Sequence, residues 1–258
     1  MIHFTMPKLR TRAWPVAAIS TTVALAACLV APAASGHAIW FAQRAGQLGF
    51  IFGLGADDED MVSRLPRVTS IAGYDSSWKQ VPTHLETDGA LVLVQGAKAA
   101  AVVTAAMDYG LWSKLPNGHW VAKGRDEVPN AILSEKNYKY AVRILGPLTT
   151  PIPALPRQAL EVVPVSAQIP ALKGDPMKLR VLLHGKPIAG VQVLRDFVND
   201  PDGKPIVSGA DGTLTIRVRN QGLNVIDASY DGPPEDPSKE SRIDYEATLS
   251  FVLPHKPE

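Results

Sequence analysis

The chain of 258 residues carries 26 lysine and arginine side chains against 25 aspartate and glutamate side chains, a formal net charge of +1. Nucleic acids and anionic lipid surfaces select strongly basic proteins, so this near-neutral composition excludes both from the expected partners. Cys28 is the one cysteine, and the chain therefore has no intramolecular disulfide and no cysteine cluster for a metal ion. We expect stability to come from the burial of apolar side chains.

The first 36 residues have the composition of a secretory signal peptide. The cations Lys8, Arg10 and Arg12 come first, without any acidic residue, and an apolar run from Ala13 to Val30 and a series of small residues follow. The run is about as long as the shortest membrane-spanning helix, roughly 18 residues, so an uncleaved anchor is the alternative. The small residues favour cleavage. We therefore predict an exported protein of the bacterial cell envelope, either periplasmic or secreted.

Two cleavage sites compete at the end of this signal. Ala34-Ser35-Gly36 has the small residues that signal peptidase reads, and cleavage after it makes His37 the new N-terminus. Leu25-Ala26-Ala27-Cys28 fits a lipobox, and cleavage there would give a lipoprotein anchored at Cys28. We favour cleavage after Gly36, because an alanine-rich signal core can match the lipobox pattern by chance. The chain that begins at His37 has 23 basic and 25 acidic side chains, a charge of −2, and no cysteine.

Beyond His37 the sequence has the pattern of short strands separated by turns. Nine segments are rich in β-branched or aromatic residues: 48–54, 90–94, 101–106, 138–144, 178–183, 191–197, 213–218, 223–230 and 245–253. Turn residues lie between them, as in Pro116-Asn117-Gly118 and Asp231-Gly232-Pro233-Pro234. No long segment has helical periodicity. The pattern predicts an all-β fold of immunoglobulin-like β-sandwiches, with under roughly 15% helix after the signal.

A proline-rich stretch from Gly146 to Pro156 marks a predicted domain boundary. Proline fixes φ and lacks a backbone donor, so such a stretch forms a linker or an edge segment rather than a sheet interior. We predict an N-terminal β-sandwich domain at residues 37–156 and a C-terminal β-sandwich domain at residues 157–258. Each has about the 100 residues typical of an immunoglobulin-like domain.

The start of the mature chain resembles a known family. The segments His37–Gln43 and Gly53–Met61 are similar to the start of periplasmic proteins of uncharacterised function that are often labelled nickel-uptake or NikM-like proteins. The second half supports the resemblance in four segments: 173–176, 183–193, 209–214 and 245–251. These segments are also similar to transthyretin-like, or carboxypeptidase-regulatory-like, β-sandwich modules. The resemblance implies handling of nickel or cobalt in the periplasm beside a membrane importer.

Four residues are candidate metal ligands. An N-terminal His37 would offer its α-amine and an imidazole nitrogen to one ion, a chelate that suits Ni²⁺, Co²⁺, Cu²⁺ or Zn²⁺. An amine with an ordinary pKa of about 7.7 to 8.0 can lose its proton to such an ion near neutral pH. Asp57 and Glu59 belong to the nearest acidic run, and His119 lies in a predicted turn. The alternatives are a solvated acidic loop and an exposed turn histidine. The resemblance also leads us to look for a histidine near Leu54, where this chain has leucine.

Sequence motifs of common enzymes are missing: there is no Gly-x-Ser-x-Gly elbow, no phosphate-binding glycine loop and no His-Glu-x-x-His. We therefore predict a protein that is not an enzyme. The favoured function is a periplasmic accessory protein that binds a divalent transition metal or delivers it to an uptake system. The alternative is a metal-free envelope module that binds a protein or a glycan through its β-sandwich. After residue 36 no apolar segment is long enough to cross a membrane, so no transmembrane segment is expected in the mature chain.

Overall fold

The computed structural model describes residues 1–3 and 36–254. The chain divides into two compact units, Met1–Ala33 and Ala34–Glu258, and the fold below is that of the second unit. Apart from its two ends, the predicted signal peptide lies outside the described residues, as does the lipobox at Cys28. Both cleavage sites therefore stay predictions. Within the described ranges, no helix combines the length and the apolar character needed to cross a membrane.

Strands form most of the regular structure, 50% of the chain against 4% for helix. The described strands in chain order are β1 Ala38–Arg44, β2 Gln47–Leu54, β3 Asp57–Glu59, β4 Val68–Tyr74, β5 Gln80–Val81, β6 His84–Asp88, β7 Leu91–Gln95, β8 Val102–Lys114, β9 Trp120–Val121, β10 Leu133–Ile144, β11 Leu160–Pro164, β12 Pro176–Leu183, β13 Lys186–Pro187, β14 Gln192–Leu194, β15 Ile206–Val207, β16 Thr213–Arg217, β17 Leu223–Gly232 and β18 Arg242–Val252. Short 3₁₀ helices lie at Val62–Arg67 and Ala97–Ala99. The predicted all-β class and low helix content are confirmed.

These strands form three sheets in the described part of the chain. The small sheet has the order β1-β2-β7-β6, with β3 paired to β2. The central sheet has the order β15-β14-β17-β18-β10-β8-β4-β5, with β9 paired to β8. The third sheet has the order β11-β12-β13, with β16 paired to β12. The pairing of β10 with β18 is parallel and places Lys139 opposite Glu246, while β17 pairs with β18 in the antiparallel direction.

The central sheet takes strands from both sides of the predicted domain boundary. Strand β10 precedes the proline-rich stretch, whereas β18 is close to the C-terminus, and the two are neighbours over nine residue pairs from Glu135 opposite Arg242 to Arg143 opposite Ser250. The predicted domains 37–156 and 157–258 therefore share one sheet. Their independence as folding units stays a prediction.

Apolar side chains cover both faces of the central sheet, because alternate residues of its strands join different clusters. In β18, Tyr245, Ala247, Leu249 and Phe251 pack with residues of β11, β12 and β16 from the third sheet. Ala141 of β10 and its neighbours in β8 pack instead with residues of β1, β2 and β7 from the small sheet. The result is a β-sandwich of three layers, in which the small sheet and the third sheet lie on opposite faces of the central sheet.

The small sheet is built around β2, which pairs with β1 along one edge and with β3 along the other. Gly53 is opposite both Ala38 and Asp58. A Cβ atom at Gly53 would lie 1.8 Å from the carbonyl oxygen of Asp57 and 3.2 Å from the ring of Trp40. The close approach of β3 to β2 therefore requires glycine at this position.

Replacing Gly53 with alanine is expected to destabilise the protein. The added methyl group overlaps a backbone atom that cannot rotate away, so we expect the free energy of unfolding to fall by about 3 kcal/mol, the upper end for overpacking. Urea denaturation measures the change. Gly146→Ala is the matched control, because its Cβ atom would make an ordinary contact of 3.9 Å with Ala101. We expect that control to change stability by less than about 0.5 kcal/mol, and equal losses in the two variants would contradict the packing account.

Glu161 is a buried carboxyl group of β11. It is 1% exposed, and both of its oxygens lie within hydrogen-bonding distance of the Leu155 backbone N–H, at 3.3 and 3.1 Å. Burial raises the pKa of Glu161 from 4.5 to about 7, and the hydrogen bond from Leu155 opposes the rise. Between these two values the folded protein keeps a proton that the unfolded chain has lost. This group therefore makes the protein less stable as the pH rises from about 4.5 to about 7.

The variant Glu161→Gln is expected to lose this part of the pH dependence while it keeps an oxygen acceptor for the Leu155 N–H. Relative to the wild type, it should gain up to about 3 kcal/mol in the free energy of unfolding between pH 4 and pH 8. Urea denaturation of both proteins across this range measures the difference. Parallel stability curves for the two proteins would show that Glu161 ionises normally in the fold.

Candidate functional site

His37 lies directly before β1 and is held at the edge of the small sheet. Its ring stacks on Phe52 of β2, with ring centroids 5.4 Å apart and planes 7° from parallel. Its Nε2 atom lies 2.6 Å from Oε1 of Glu59 in β3. The register explains the contact, because Ile39 and Glu59 both pair with Phe52, from opposite edges of β2. By strand alternation, His37 and Glu59 then share the face on which Phe52 projects.

Glu59 binds two partners at once. Its Oε2 atom accepts a hydrogen bond of 2.8 Å from Arg64, whose guanidinium also lies 4.2 Å from the centroid of the Phe52 ring. A carboxylate only accepts hydrogen bonds, so in a neutral His37 ring the proton is on Nε2 and the lone pair is on Nδ1. The side chains of His37 and Glu59 are 44% and 36% exposed, so solvent and small ions reach the pair.

A buried charge cluster lies beneath the start of β1. It consists of Lys139 of β10, Asp227 of β17 and Glu246 of β18, each 2% exposed. The register places Glu246 opposite Lys139 and Asp227 opposite Thr248, so all three project from the central sheet toward the small sheet. A Cβ atom at Gly36 would lie 3.9 Å from Oε2 of Glu246. The cluster therefore adjoins the residue that precedes His37.

The two carboxyl groups of this cluster have raised pKa values, and one oxygen of each lacks a hydrogen-bond partner. Burial raises the pKa of Asp227 above its ordinary value, and a hydrogen bond with the Glu246 carboxyl and then the charge of Lys139 oppose the rise. Burial and then the charge of Asp227 raise the pKa of Glu246 well above its ordinary value. Oδ1 of Asp227 and Oε1 of Glu246 are buried and have no hydrogen-bond partner among the described residues. A bare buried acceptor costs about 1–3 kcal/mol, so most such atoms in proteins have a partner.

Aromatic side chains connect the His37 pair with the charge cluster. Phe52 contacts Tyr109 of β8 at a centroid distance of 5.0 Å, and Tyr109 stacks on Trp112 at 5.3 Å. The ammonium of Lys139 lies 5.4 Å from the centroid of the Tyr109 ring. The two groups of polar residues therefore lie along the same seam between the small sheet and the central sheet.

The structure brings together two of the four predicted metal ligands, His37 and Glu59. Asp57 is an exposed residue of β3 opposite Leu54, and among the described residues no hydrogen bond or ion pair joins it to His37. His119 is exposed in the turn after β8, where its backbone N–H donates to Oδ1 of Asn117 at 3.1 Å. Over residues 1–3 and 36–254, no group of three or more His, Cys, Asp or Glu side chains has the geometry of a metal site.

The sequence reasoning did not identify Lys139, Asp227 and Glu246. Each lies in a strand whose neighbouring residues are apolar, and a polar residue in that pattern is typical of a strand face exposed to water. Leu54, where the resemblance suggested a donor, packs beside Trp40 in an apolar cluster instead.

Comparisons with known proteins found a matching family and a similar protein. An uncharacterised protein of Haemophilus influenzae is 27% identical over 172 residues, which cover 66% of this chain and 72% of that protein. The family described as a domain of unknown function, DUF4198, matches residues 34–232. The match includes His37, Glu59, Lys139 and Asp227, and it ends before Glu246. Because this match spans most of the chain, the protein belongs to the DUF4198 family.

Proposed function

We propose that this protein is exported to the periplasm, is cleaved after Gly36, and binds a divalent transition-metal ion through the resulting N-terminal His37. The observation that carries the proposal is the 2.6 Å contact between Nε2 of His37 and Glu59. With Nε2 held by a carboxylate, the ring presents Nδ1, the nitrogen that can form a chelate ring together with the α-amine of the same residue.

In this proposal Glu59 orients the metal ligand rather than binding the ion. Histidine ligands commonly donate their second ring N–H to a carboxylate, which sets the tautomer and makes the ligating nitrogen more basic. Arg64 holds the other oxygen of Glu59, and Phe52 supports the imidazole ring. The imidazole orientation is therefore established before an ion arrives, which lowers the entropic cost of binding.

The exposure of the pair suits a protein that delivers its ion rather than one that keeps it. His37 is 44% exposed on its side chain, so an acceptor protein can reach the ion directly. Amine and imidazole nitrogens suit Ni²⁺, Co²⁺, Cu²⁺ and Zn²⁺, and the sequence resemblance favours nickel or cobalt among them. A membrane importer is the proposed recipient.

A metal-free module that binds a protein or a glycan is the competing function. The observation in its favour is Trp120 of β9, which is 41% exposed and has the ammonium of Lys114 at 5.7 Å from its ring centroid. An exposed indole is a common contact residue for both kinds of partner.

The position of the N-terminus is expected to determine metal affinity. A form that begins at His37 should bind Ni²⁺ or Co²⁺ at least about 10- to 100-fold more tightly than a form that begins at Ala34, because the longer form converts the α-amine of His37 into an amide. Calorimetric titration with Ni²⁺, Co²⁺, Cu²⁺ and Zn²⁺ measures both affinities, and circular dichroism checks that both forms are folded.

Two variants of the form that begins at His37 sharpen this test. Glu59→Ala should weaken binding by about 10-fold, because it removes the acceptor that orients the His37 ring. His119→Gln is the matched control and should leave affinity unchanged, since that residue lies in an exposed turn. Equal affinities for the forms beginning at Ala34 and His37 would eliminate the N-terminal site and favour the metal-free module.

A further inference from the structure

The buried charge cluster lies beside the residue that precedes His37. The Cβ position of Gly36 is 3.9 Å from Oε2 of Glu246, and the carbonyl carbon of Gly36 is bonded to the nitrogen of His37. Cleavage of that bond removes Gly36 and leaves the α-amine within about one residue length, about 3.8 Å in Cα spacing, of the position that Gly36 occupied beside Glu246. The chelate of the proposed function and the carboxyl of Glu246 are therefore neighbours across the seam between the two sheets.

The cluster also has acceptor atoms without partners. Oε1 of Glu246 and Oδ1 of Asp227 have no hydrogen-bond partner among the described residues, although both side chains are 98% buried. In native proteins nearly every buried acceptor has a donor, a water molecule or a cation as its partner. The Asp227 and Glu246 carboxyls hydrogen-bond each other, and a cation at this place would satisfy the remaining two oxygens.

Acidic side chains outnumber basic ones around Glu246. Within the cluster Asp227 and Glu246 adjoin one ammonium, that of Lys139. Asp244 of the same strand adds a further negative charge near Glu246.

We propose that Glu246 ligates the metal ion together with the α-amine and Nδ1 of His37, and that Asp227 positions Glu246. The proposal rests on the proposed function of the N-terminal site and names its third donor. Two nitrogens and a carboxylate oxygen form a mixed donor set that is common for Co²⁺, Ni²⁺ and Zn²⁺. The ion would then connect the residue that precedes β1 of the small sheet to the central sheet.

Substitution of Glu246 tests this assignment in the form that begins at His37. Glu246→Gln keeps the size of the side chain and removes its negative charge, so the affinity for Ni²⁺ should fall at least 10-fold. Asp227→Asn should give a smaller loss, because that residue acts through Glu246. The matched control is Glu161→Gln, a buried glutamate of the third sheet, which should bind Ni²⁺ within twofold of the wild type.

The outcomes separate the inference from the proposed function. Tight binding by the wild type together with unchanged affinity in Glu246→Gln would overturn the role of Glu246 and leave the N-terminal chelate in place. Failure of the folded wild type to bind any of the four ions would overturn both the role of Glu246 and the proposed function.

The stability of the variants gives the remaining outcomes. If Glu246→Gln keeps its Ni²⁺ affinity but melts at a lower temperature without metal, the cluster pairs with the α-ammonium instead, and Glu246 is not a metal ligand. If Glu246→Gln does not fold, the Asp227→Asn titration decides, and wild-type affinity there would contradict the proposal.

Discussion

The central sheet is buried on both faces, and a row of polar side chains is therefore enclosed between two sheets instead of facing water. In β18, Glu246, Thr248 and Ser250 alternate with the apolar residues that pack against the third sheet. Thr248 donates a hydrogen bond of 2.7 Å to the backbone oxygen of Ile39, which attaches β1 of the small sheet to the central sheet. Because an unpaired polar group in such a layer is costly, this row determines where the small sheet can lie.

The candidate site follows from that arrangement of layers. The small sheet contributes His37 and Glu59, whose separation is set by the pairing of β1 and β3 with opposite edges of β2. The central sheet contributes Lys139, Asp227 and Glu246 from three neighbouring strands. In the proposed function this site links export to metal binding, because the proposed cleavage after Gly36 would create the α-amine on which the chelate depends.

The pattern of residue types along the sequence predicted many of the strands, but it did not predict that three sheets pack in layers. The segments that became β2, β12, β16 and β17 could be predicted because β-branched and aromatic residues are bounded there by turns. Strand β1 is buried along most of its length and lacks alternation, and β4 contains serine and glycine, so neither was predicted as a strand. His37 and Glu59 were both candidate ligands from the sequence, because one would begin the mature chain and the other belongs to the nearest acidic run. The contact of Thr248 with Ile39 spans 209 residues, and no sequence pattern predicted it. Alternation cannot tell a water-exposed face from one covered by a third sheet, so Glu246 had no signal in the sequence.

A crystal structure of the protein beginning at His37, grown with Ni²⁺, tests the central claim most directly. The account predicts an ion bound by the α-amine and Nδ1 of His37 at about 2.0–2.1 Å, with Nε2 still donating to Glu59 and a Glu246 oxygen in the coordination sphere. An ion bound through Nε2 with Glu59 displaced, or an ion at a place remote from His37, would contradict it.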